Sequence, residues 1–356
     1  MLLLLSFERS YTYDMKRTVT YRMAWAVFFG WLLAASLPAA QAQTAAPAWD
    51  WAARGTSRGN TWAYSSAGRV QADAAGNSYV AGTFTDTLLL AGHSLISPPH
   101  GASYVAKHAP DGSVRWVQTF GGPRTELTQL ALQANGAGSV YVLGKFVNVM
   151  NIGSLVLTDT LGARTGVFYS RAFLAKLDAT GQPLWAIQLG SPVGPTMGLL
   201  TCTDLKVDTM GNVVIGGNYQ GAVELAGQLL PPAPAGQLNF LVASLSSAET
   251  NLPVVRWART AGGPGIYPGV VVAPGPAGEV YASVGVYATT TFDGVPLPVL
   301  PTQQGAALVK YDASGLVQWA QLLPSVFARH PLTNSVQPKA LVVNAAGVYI
   351  LTNEHD

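Results

Sequence analysis

Residues 104–122 read YVAKHAPDGSVRWVQTFGG, and the pattern in this stretch recurs along the chain. An apolar strand with a Lys is followed by an Asp- and Gly-containing turn and by a second strand that carries a Trp. Close copies occupy residues 173–191 (FLAKLDATGQPLWAIQLGS) and 307–324 (ALVKYDASGLVQWAQLLP), and a longer copy occupies residues 240–263. Because Asp bonds to its own backbone and Gly accepts positive φ, each copy predicts a β-hairpin.

A second pattern lies between these copies and predicts another hairpin in every repeat. It reads VQADAAGNSYVAGTF at residues 70–84 and LKVDTMGNVVIGGNY at residues 205–219, with three further copies. Two strands flank a turn, and in four copies the second strand ends in a Gly-x-aromatic step. The turn glycines are Gly76, Gly138, Gly211, Gly278 and Gly347. A third, Gly-centred segment predicts a decorated edge hairpin, so one repeat supplies four main strands and an arm.

The Trp of the first pattern recurs at similar intervals. It occupies Trp51, Trp116, Trp185, Trp257 and Trp319, at separations of 65, 69, 72 and 62 residues. Insertions into loops between fixed strands produce this kind of irregular spacing. Trp buries a large apolar area and can donate its N–H to a carbonyl, so we interpret one Trp per repeat as a staple between neighbouring units.

These repeats predict an all-β fold, specifically a β-propeller-like array of mainly four-stranded blades over residues 43–356. The approximate repeats are 56–122, 123–191, 199–263, 266–324 and a partial fifth at 335–356. Two alternatives account for the partial repeat. The strand of Trp51 could close a ring as the missing outer strand of the last blade, or the chain could be an incomplete, open part of a longer array. The absence of a third-strand element in repeat five favours the second alternative.

Residues 1–42 have the features of an export signal. Basic residues precede an apolar run at residues 23–37, and residues 40–42 (AQA) fit a small-x-small cleavage site before Gln43. Met15 is the favoured biological start. A membrane anchor is the alternative, but the apolar run is short for a span of about 20 residues. We therefore predict cleavage, no stable membrane span in the mature chain, and a secreted or cell-surface location.

The composition limits the classes of partner. Charged residues make up 11% of the 356-residue chain, and the formal net charge is +2. That balance creates no general field for nucleic acid or for an acidic membrane surface, so neither is a predicted partner. The chain has one cysteine, Cys202, which lies among leucines and is predicted to be a small buried side chain.

No metal site is predicted. The aspartates of the turns come singly, whereas a calcium ion needs about six to eight oxygen ligands, so we interpret them as turn residues. They are Asp73, Asp178, Asp208 and Asp312. The histidines have no spacing that fixes a metal face, and we interpret them as solvated loop residues. They are His93, His100, His108, His330 and His355.

No catalytic or cofactor-binding residue is predicted either. The sequence has no Gly-x-Ser-x-Gly elbow, no Cys/His pair at zinc spacing and no phosphate loop. Carboxylates from different blades could still meet in a central funnel, and four acids in the less regular parts of the repeats are the candidates. They are Asp86, Asp159, Glu224 and Asp293.

The motifs GNxYVxGxF and FxAKxDxxG, followed by Trp-Ala and Gly-Gly, resemble the bacterial SBBP family, a seven-bladed β-propeller repeat. The resemblance covers residues 48–353 and implies an exported propeller protein of the kind common in Bacteroidetes-type bacteria. Residues 177–185 (LDATGQPLW) are also similar to the Trp-docking repeat of quinoprotein dehydrogenases. A quinoprotein needs calcium ligands and stacking residues around its cofactor, and no residues here are assigned to those roles.

The functional hypothesis is a non-enzymatic, exported scaffold that binds a carbohydrate or protein partner through variable loops. The loops at residues 157–170 and 229–238 vary most and are the expected contact regions. One alternative is a propeller hydrolase, lyase or quinoprotein-like enzyme with its site in the central funnel. Another is a structural spacer within a longer adhesin.

Overall fold

Strands joined by tight turns make up the described part of the chain, as the alternating apolar residues and Gly-centred turns predict. The computed structural model describes residues 55–59, 63–99, 101–122, 124–133, 138–159, 170–192, 198–246, 252–263, 265–299, 304–325 and 336–354. Within those ranges every regular element is a β-strand, and the predicted all-β class is confirmed. The export signal predicted at residues 1–42 and the Trp51 strand lie outside them.

The strands are short, as expected for repeated hairpins. In chain order they are β1 (Gly55–Arg58), β2 (Ser65–Ala72), β3 (Ser78–Phe84), β4 (Thr87–Leu90), β5 (His93–Ile96), β6 (Ala102–His108), β7 (Val114–Gly121), β8 (Glu126–Leu132), β9 (Val140–Phe146), β10 (Val149–Ile152), β11 (Leu155–Thr158), β12 (Arg171–Leu177), β13 (Pro183–Leu189), β14 (Ser191–Pro192), β15 (Leu199–Val207), β16 (Val213–Gln220), β17 (Val223–Leu225), β18 (Gln228–Leu229), β19 (Asn239–Ser246), β20 (Val254–Ala261), β21 (Ile266–Pro274), β22 (Val280–Val286), β23 (Thr290–Phe292), β24 (Val295–Leu297), β25 (Gly305–Tyr311), β26 (Val317–Pro324), β27 (Val336–Asn344) and β28 (Gly347–Glu354).

Four antiparallel sheets repeat one strand order. Sheet 1 is β2-β3-β6-β7, sheet 2 is β8-β9-β12-β13, sheet 3 is β15-β16-β19-β20 and sheet 4 is β21-β22-β25-β26. β27 and β28 form a two-stranded sheet, called hairpin 5 below. The remaining pairs β4–β5, β10–β11, β17–β18 and β23–β24 are short hairpins inserted between the second and third strands of each sheet, called the arms below.

Three arms pair with a strand that precedes the first strand of their own sheet. β10 of the second arm pairs with β7, with Asn151 opposite Gly121. The third arm pairs through β17 with β14, which follows the last strand of sheet 2, and the first arm pairs through β4 with β1. The second and third arms therefore lie beside the chain that ends the preceding sheet, and they connect one repeat to the next.

The hydrophobic core is divided into layers between successive sheets. Sheets 1 and 2 share one cluster, sheets 2 and 3 another, sheets 3 and 4 a third, and sheet 4 and hairpin 5 a fourth. Every residue of β12 and β22 is buried, as expected for middle strands that are covered on both faces. Each sheet is thus stabilised chiefly by its neighbours along the chain.

The first strand of each unit carries a register shift at an equivalent place. The shifts fall at Ala67/Arg69, Leu127/Gln129, Cys202/Asp204, Ile266/Val270 and Pro338/Ala340. A bulge bends its strand and redirects a side chain. Here the Arg69 Nε donates to the Thr128 carbonyl, and the Gln129 Nε2 donates to the Thr203 carbonyl at 2.9 Å. The bulges therefore link the first strands of sheets 1, 2 and 3.

The repeat Trp and the repeat turn form a single contact between neighbouring sheets. Trp116 of sheet 1 donates its Nε1–H to the Ala179 carbonyl in the Asp-x-x-Gly turn of sheet 2, at 3.0 Å. Trp257 of sheet 3 donates in the same way to Ala313 in sheet 4, at 3.3 Å. Gly181 lies against the Trp116 ring, where a Cβ would be 2.6 Å from a ring atom. The predicted role of Trp as a staple between units is confirmed for sheets 1 and 2 and for sheets 3 and 4.

Trp185 offers a natural comparison, because it lacks this hydrogen bond. It is buried, yet its Nε1 has no partner among the described residues. The turn of sheet 3 that would correspond to the acceptor belongs to the longer copy and is only partly described. We expect Trp257→Phe to lower the free energy of unfolding by about 1 kcal/mol more than Trp185→Phe does, since the two indoles are similarly buried, at 5% and 3% exposed, but only Trp257 loses a bond.

Urea unfolding followed by circular dichroism measures this difference. Equal losses for Trp257→Phe and Trp185→Phe would show that the indole hydrogen bond contributes nothing to the contact between sheets.

Candidate functional site

The four candidate carboxylates lie on the arms, not along the first strands. Asp86 precedes β4, Asp159 follows β11, Glu224 is in β17 and Asp293 is in the β23–β24 turn. In the sheet ordered β11-β10-β7-β6-β3-β2, five strand spacings of about 4.8 Å separate β11 from β2. Arg259 makes an ion pair with Asp293 at 2.9 Å. These acids therefore occupy the outer ends of the sheets.

Asp159 belongs to a buried ion pair. The Arg171 Nε lies 3.1 Å from the Asp159 Oδ2, and the two side chains are 2% and 1% exposed. Arg171 also donates to the Gly198 carbonyl at 3.3 Å. The pair joins the two ends of the predicted contact loop at residues 157–170, of which residues 160–169 lie outside the described ranges. Its position fits the role of a structural clamp.

The aspartates of the turns bond to their own backbones. The Asp178 Oδ1 accepts N–H groups from Thr180 at 2.8 Å and from Gln182 at 2.9 Å. Asp73, Asp208 and Asp312 accept from the residues two and four positions later in the same way. Their predicted role as turn residues is confirmed. Among the described residues no three His, Cys, Asp or Glu side chains form a group that could hold a metal.

The ionised aspartates of these turns should make the fold less stable at acid pH. Burial opposes ionisation of Asp178, but hydrogen bonds from Thr180, Gln182 and Gly181 outweigh it and lower the pKa of this carboxyl. A lowered folded-state pKa stabilises the fold above the unfolded pKa of about 3.9, and that stabilisation is lost as pH falls through the folded value. We expect the urea midpoint to fall as pH drops below about 4.

An Asp178→Asn variant isolates this contribution, since it keeps the shape of the side chain and cannot titrate. We expect a shallower fall of the midpoint with acid than in the unaltered chain. A parallel fall in the two proteins would contradict a stabilising role for the ionised Asp178.

The interpretation of His108 as a solvated loop residue is wrong. His108 ends β6 and is 3% exposed, because it occupies a buried position of the strand, as the equivalent residues Leu177 and Tyr311 do in sheets 2 and 4. Its Nδ1 lies 3.3 Å from the Gly112 carbonyl. His93 is exposed in β5. His100, His330 and His355 lie outside the described ranges.

Cys202 is buried in the layer between sheets 2 and 3, which confirms the prediction for this residue. Burial raises the pKa of its thiol to about 12. A thiol with so little thiolate at neutral pH is a packing residue rather than a nucleophile.

The predicted contact loop at residues 229–238 is mainly exposed, and two buried side chains anchor it. Leu230 and Ala233 are buried, and the Tyr219 hydroxyl donates to the Pro231 carbonyl at 2.7 Å. Leu229 is 61% exposed, and Pro231, Pro232, Pro234, Ala235 and Gly236 are exposed as well. Most of this segment is therefore accessible to solvent.

A groove of about 640 Å³ lies between sheets 1 and 2, near the start of their first strands. Its walls come from β2, β3, β8 and β9. A second cavity of about 400 Å³ continues toward sheet 3 and shares Arg69, Lys145 and Ser170 with the first. We call the two cavities together the inner groove. Their volumes fall within the range of about 300–1,000 Å³ typical of ligand pockets.

The inner groove has polar walls. Arg69, Arg124 and Lys145 line the larger cavity together with Glu126, which makes an ion pair with Lys145 at 2.9 Å. Both partners of that pair are about half exposed, and such pairs contribute about 0–1 kcal/mol. Tyr64, 53% exposed, lies at the same cavity.

The charged pair of the groove occupies a variable position of the repeat. Glu126 pairs with Lys145 across sheet 2 at the place where sheet 1 has Ser66 opposite Thr83. The equivalent cross-strand pairs in sheets 3 and 4 are Thr201 with Asn218 and Ile266 with Val286. These are the middle residues of the Gly-x-aromatic steps and their partners. None of them is among the candidate residues predicted from the sequence, although their variation within a constant motif was a usable signal.

No protein-family model matches the sequence, and a search of the curated proteins found no match. The resemblance to SBBP repeats therefore stays a prediction. Within the described ranges no helix is long and apolar enough to cross a membrane.

Proposed function

We propose that this chain is an exported scaffold whose sheets are blades of a β-propeller-type array and whose inner groove binds a carbohydrate or protein partner. Three features support the blade arrangement. The four sheets share one strand order, their cores lie between successive sheets, and their first strands carry equivalent bulges. Short sheets that stack through both faces are the building principle of propellers.

The observation that carries the binding role is the inner groove. Elsewhere the repeated residues have structural roles: Trp116 and Gly181 hold sheets together, and Asp178 shapes a turn. The groove residues Glu126 and Lys145 differ from their counterparts in the other sheets, while the backbone around them is the same. A rigid framework with locally changed side chains is the usual basis of recognition.

A screen of the mature chain, beginning at Gln43, on glycan and protein arrays tests this proposal. We expect a ligand whose binding is lost in Ser66→Trp, because the exposed Ser66 lines the groove and an indole there would fill it. Ser94→Trp is the matched control, since Ser94 is equally exposed on β5 of the first arm. Silence on both arrays, or equal loss in the two variants, would contradict a binding role for the groove.

Export through a cleaved signal is part of the same proposal. Expression of the full chain in a Gram-negative host should yield a periplasmic or secreted product. Its mass should correspond to an N-terminus at Gln43. A product that keeps the apolar run at residues 23–37 would contradict cleavage.

A structural spacer is the second candidate function. The contacts between consecutive sheets favour it, because a stack held by nearest-neighbour contacts gains stability with each added unit. This candidate predicts that chains with more repeats unfold at higher urea concentration. It also predicts no ligand in the array screen.

A further inference from the structure

We infer that the inner groove binds an acidic saccharide, a segment of sugar units that bear carboxylates. The inference rests on the proposed binding function and names the chemical class of its ligand. Three features of the groove support it: a local excess of positive charge, an arginine held in a fixed orientation, and a lining of aromatic and hydroxyl groups.

The larger cavity of the groove has a local excess of positive charge. Three cationic side chains, Arg69, Arg124 and Lys145, line the larger cavity with one carboxylate, Glu126. The cavity thus concentrates an excess of two positive charges, as large as the formal charge of the whole chain. The nearly balanced charge of the whole chain argues against nucleic acid binding, but the chain still contains this small cationic site. Such a site suits a ligand with a few spaced negative charges rather than a continuous polyanion.

The Arg69 guanidinium is held in place by two backbone carbonyls. Its Nη1 donates to the Gly68 carbonyl at 2.8 Å, and its Nε donates to the Thr128 carbonyl in sheet 2. A guanidinium has five N–H donors, so these bonds fix its plane and leave donors for a carboxylate. An arginine that is already oriented loses less conformational entropy when it binds an anion.

The lining of the larger cavity combines an aromatic ring with hydroxyl groups. Tyr64 presents an exposed aromatic ring, and its backbone is fixed by two hydrogen bonds with Thr85, at 3.0 and 2.9 Å. Ser66 and Thr83 bring hydroxyl groups 3.0 Å from each other into the same cavity. A sugar has apolar ring faces and hydroxyl edges, which match an aromatic ring beside hydroxyl groups. Together with the cations, these groups fit a sugar carboxylate better than an acidic peptide.

Calorimetric titration of the mature chain with oligogalacturonate and with a neutral cello-oligosaccharide of the same length tests the inference. We expect the acidic oligosaccharide to bind at least about tenfold more tightly, since a hydrogen bond to a charged group is worth about 1.5–3 kcal/mol. Added salt should weaken the acidic ligand selectively, because its contacts are exposed to solvent.

Three matched variants locate the site. Lys145→Gln should weaken oligogalacturonate binding about tenfold, whereas Glu126→Gln should strengthen it because it removes the one repelling carboxylate. Arg115→Gln, at an exposed position of β7, changes the net charge as Lys145→Gln does and should leave the affinity unchanged. Circular dichroism confirms that each variant is folded.

Several results would overturn the inference. Equal affinity for the neutral oligosaccharide would do so while leaving the proposed binding function intact. Binding of polyglutamate or of a DNA oligonucleotide in place of oligogalacturonate would also overturn it, as would equal effects of Lys145→Gln and Arg115→Gln. An absence of any ligand on the arrays would instead remove the proposed function itself.

Discussion

Gly181→Ala should lower the free energy of unfolding by about 2–5 kcal/mol, through two separate costs. Gly181 has φ +84°, a conformation that strains any residue with a Cβ. A Cβ there would also lie 2.6 Å from a ring atom of Trp116, so the indole would have to move from its place between sheets 1 and 2. Loss of the Trp116 hydrogen bond to Ala179 would follow.

Gly227→Ala is the matched control. Gly227 has φ +89°, and no atom lies within 4 Å of the position that its Cβ would occupy. Its cost is therefore backbone strain alone, about 1–2 kcal/mol. The difference between the two variants measures the steric part of the contact with Trp116.

Gly315→Ala repeats the test at an independent place, because Gly315 contacts Trp257 of sheet 3 as Gly181 contacts Trp116 of sheet 1. Urea unfolding followed by circular dichroism gives all three values. If Gly181, Gly315 and Gly227 all lose the same stability on substitution, the close approach of indole and turn has no energetic consequence.

Arg171→Met should lower the free energy of unfolding by about 3–5 kcal/mol. The substitution preserves much of the volume but removes the positive charge from a pair in which both side chains are about 2% exposed or less. The Asp159 carboxylate would then be buried without its cation, and an uncompensated buried charge is among the most costly single defects in a protein.

The double variant Asp159→Leu with Arg171→Met distinguishes the cost of breaking the pair from the value of the pair. Replacing a buried ion pair by apolar residues is often neutral or stabilising, so we expect most of the lost stability to return. Lys145→Met is the control for an exposed pair and should change stability by less than about 1 kcal/mol. A double variant as unstable as Arg171→Met alone would contradict the electrostatic explanation.

Comparing Gly181→Ala and Arg171→Met with the groove variants distinguishes residues that stabilise the fold from residues that bind a ligand. Gly181 and Arg171 belong to the contacts that hold the sheets and the base of a loop. Lys145 and Glu126 line the inner groove and contribute little to stability. Ligand affinity should therefore change most in the groove variants, and resistance to urea in the framework variants.

The strand pattern was predictable from sequence because it depends on residues that are close along the chain. Alternating apolar residues and Asp-x-x-Gly turns specify a hairpin within about 20 residues, and Asp178 and Asp312 bond as their turns require. The burial of Cys202 also followed from its apolar neighbours.

His108 and the inner groove were not predictable in this way. Whether His108 is exposed depends on the sheet face to which its register assigns it, not on the polarity of its side chain. Arg69 and Lys145 line one cavity only because sheets 1 and 2 lie side by side. Local patterns carry no information about which exposed residues of different hairpins will share a surface.

The sequence by itself determined a chain of repeated β-hairpins, with Gly-centred turns and one Trp in each full repeat. Only the tertiary structure decided that the Trp of one repeat lies on the turn of the next, as Trp116 does on the turn of Ala179, 63 residues later. The reason is physical. A turn forms from its own backbone bonds, whereas the surface that buries an indole is created only when two sheets pack together.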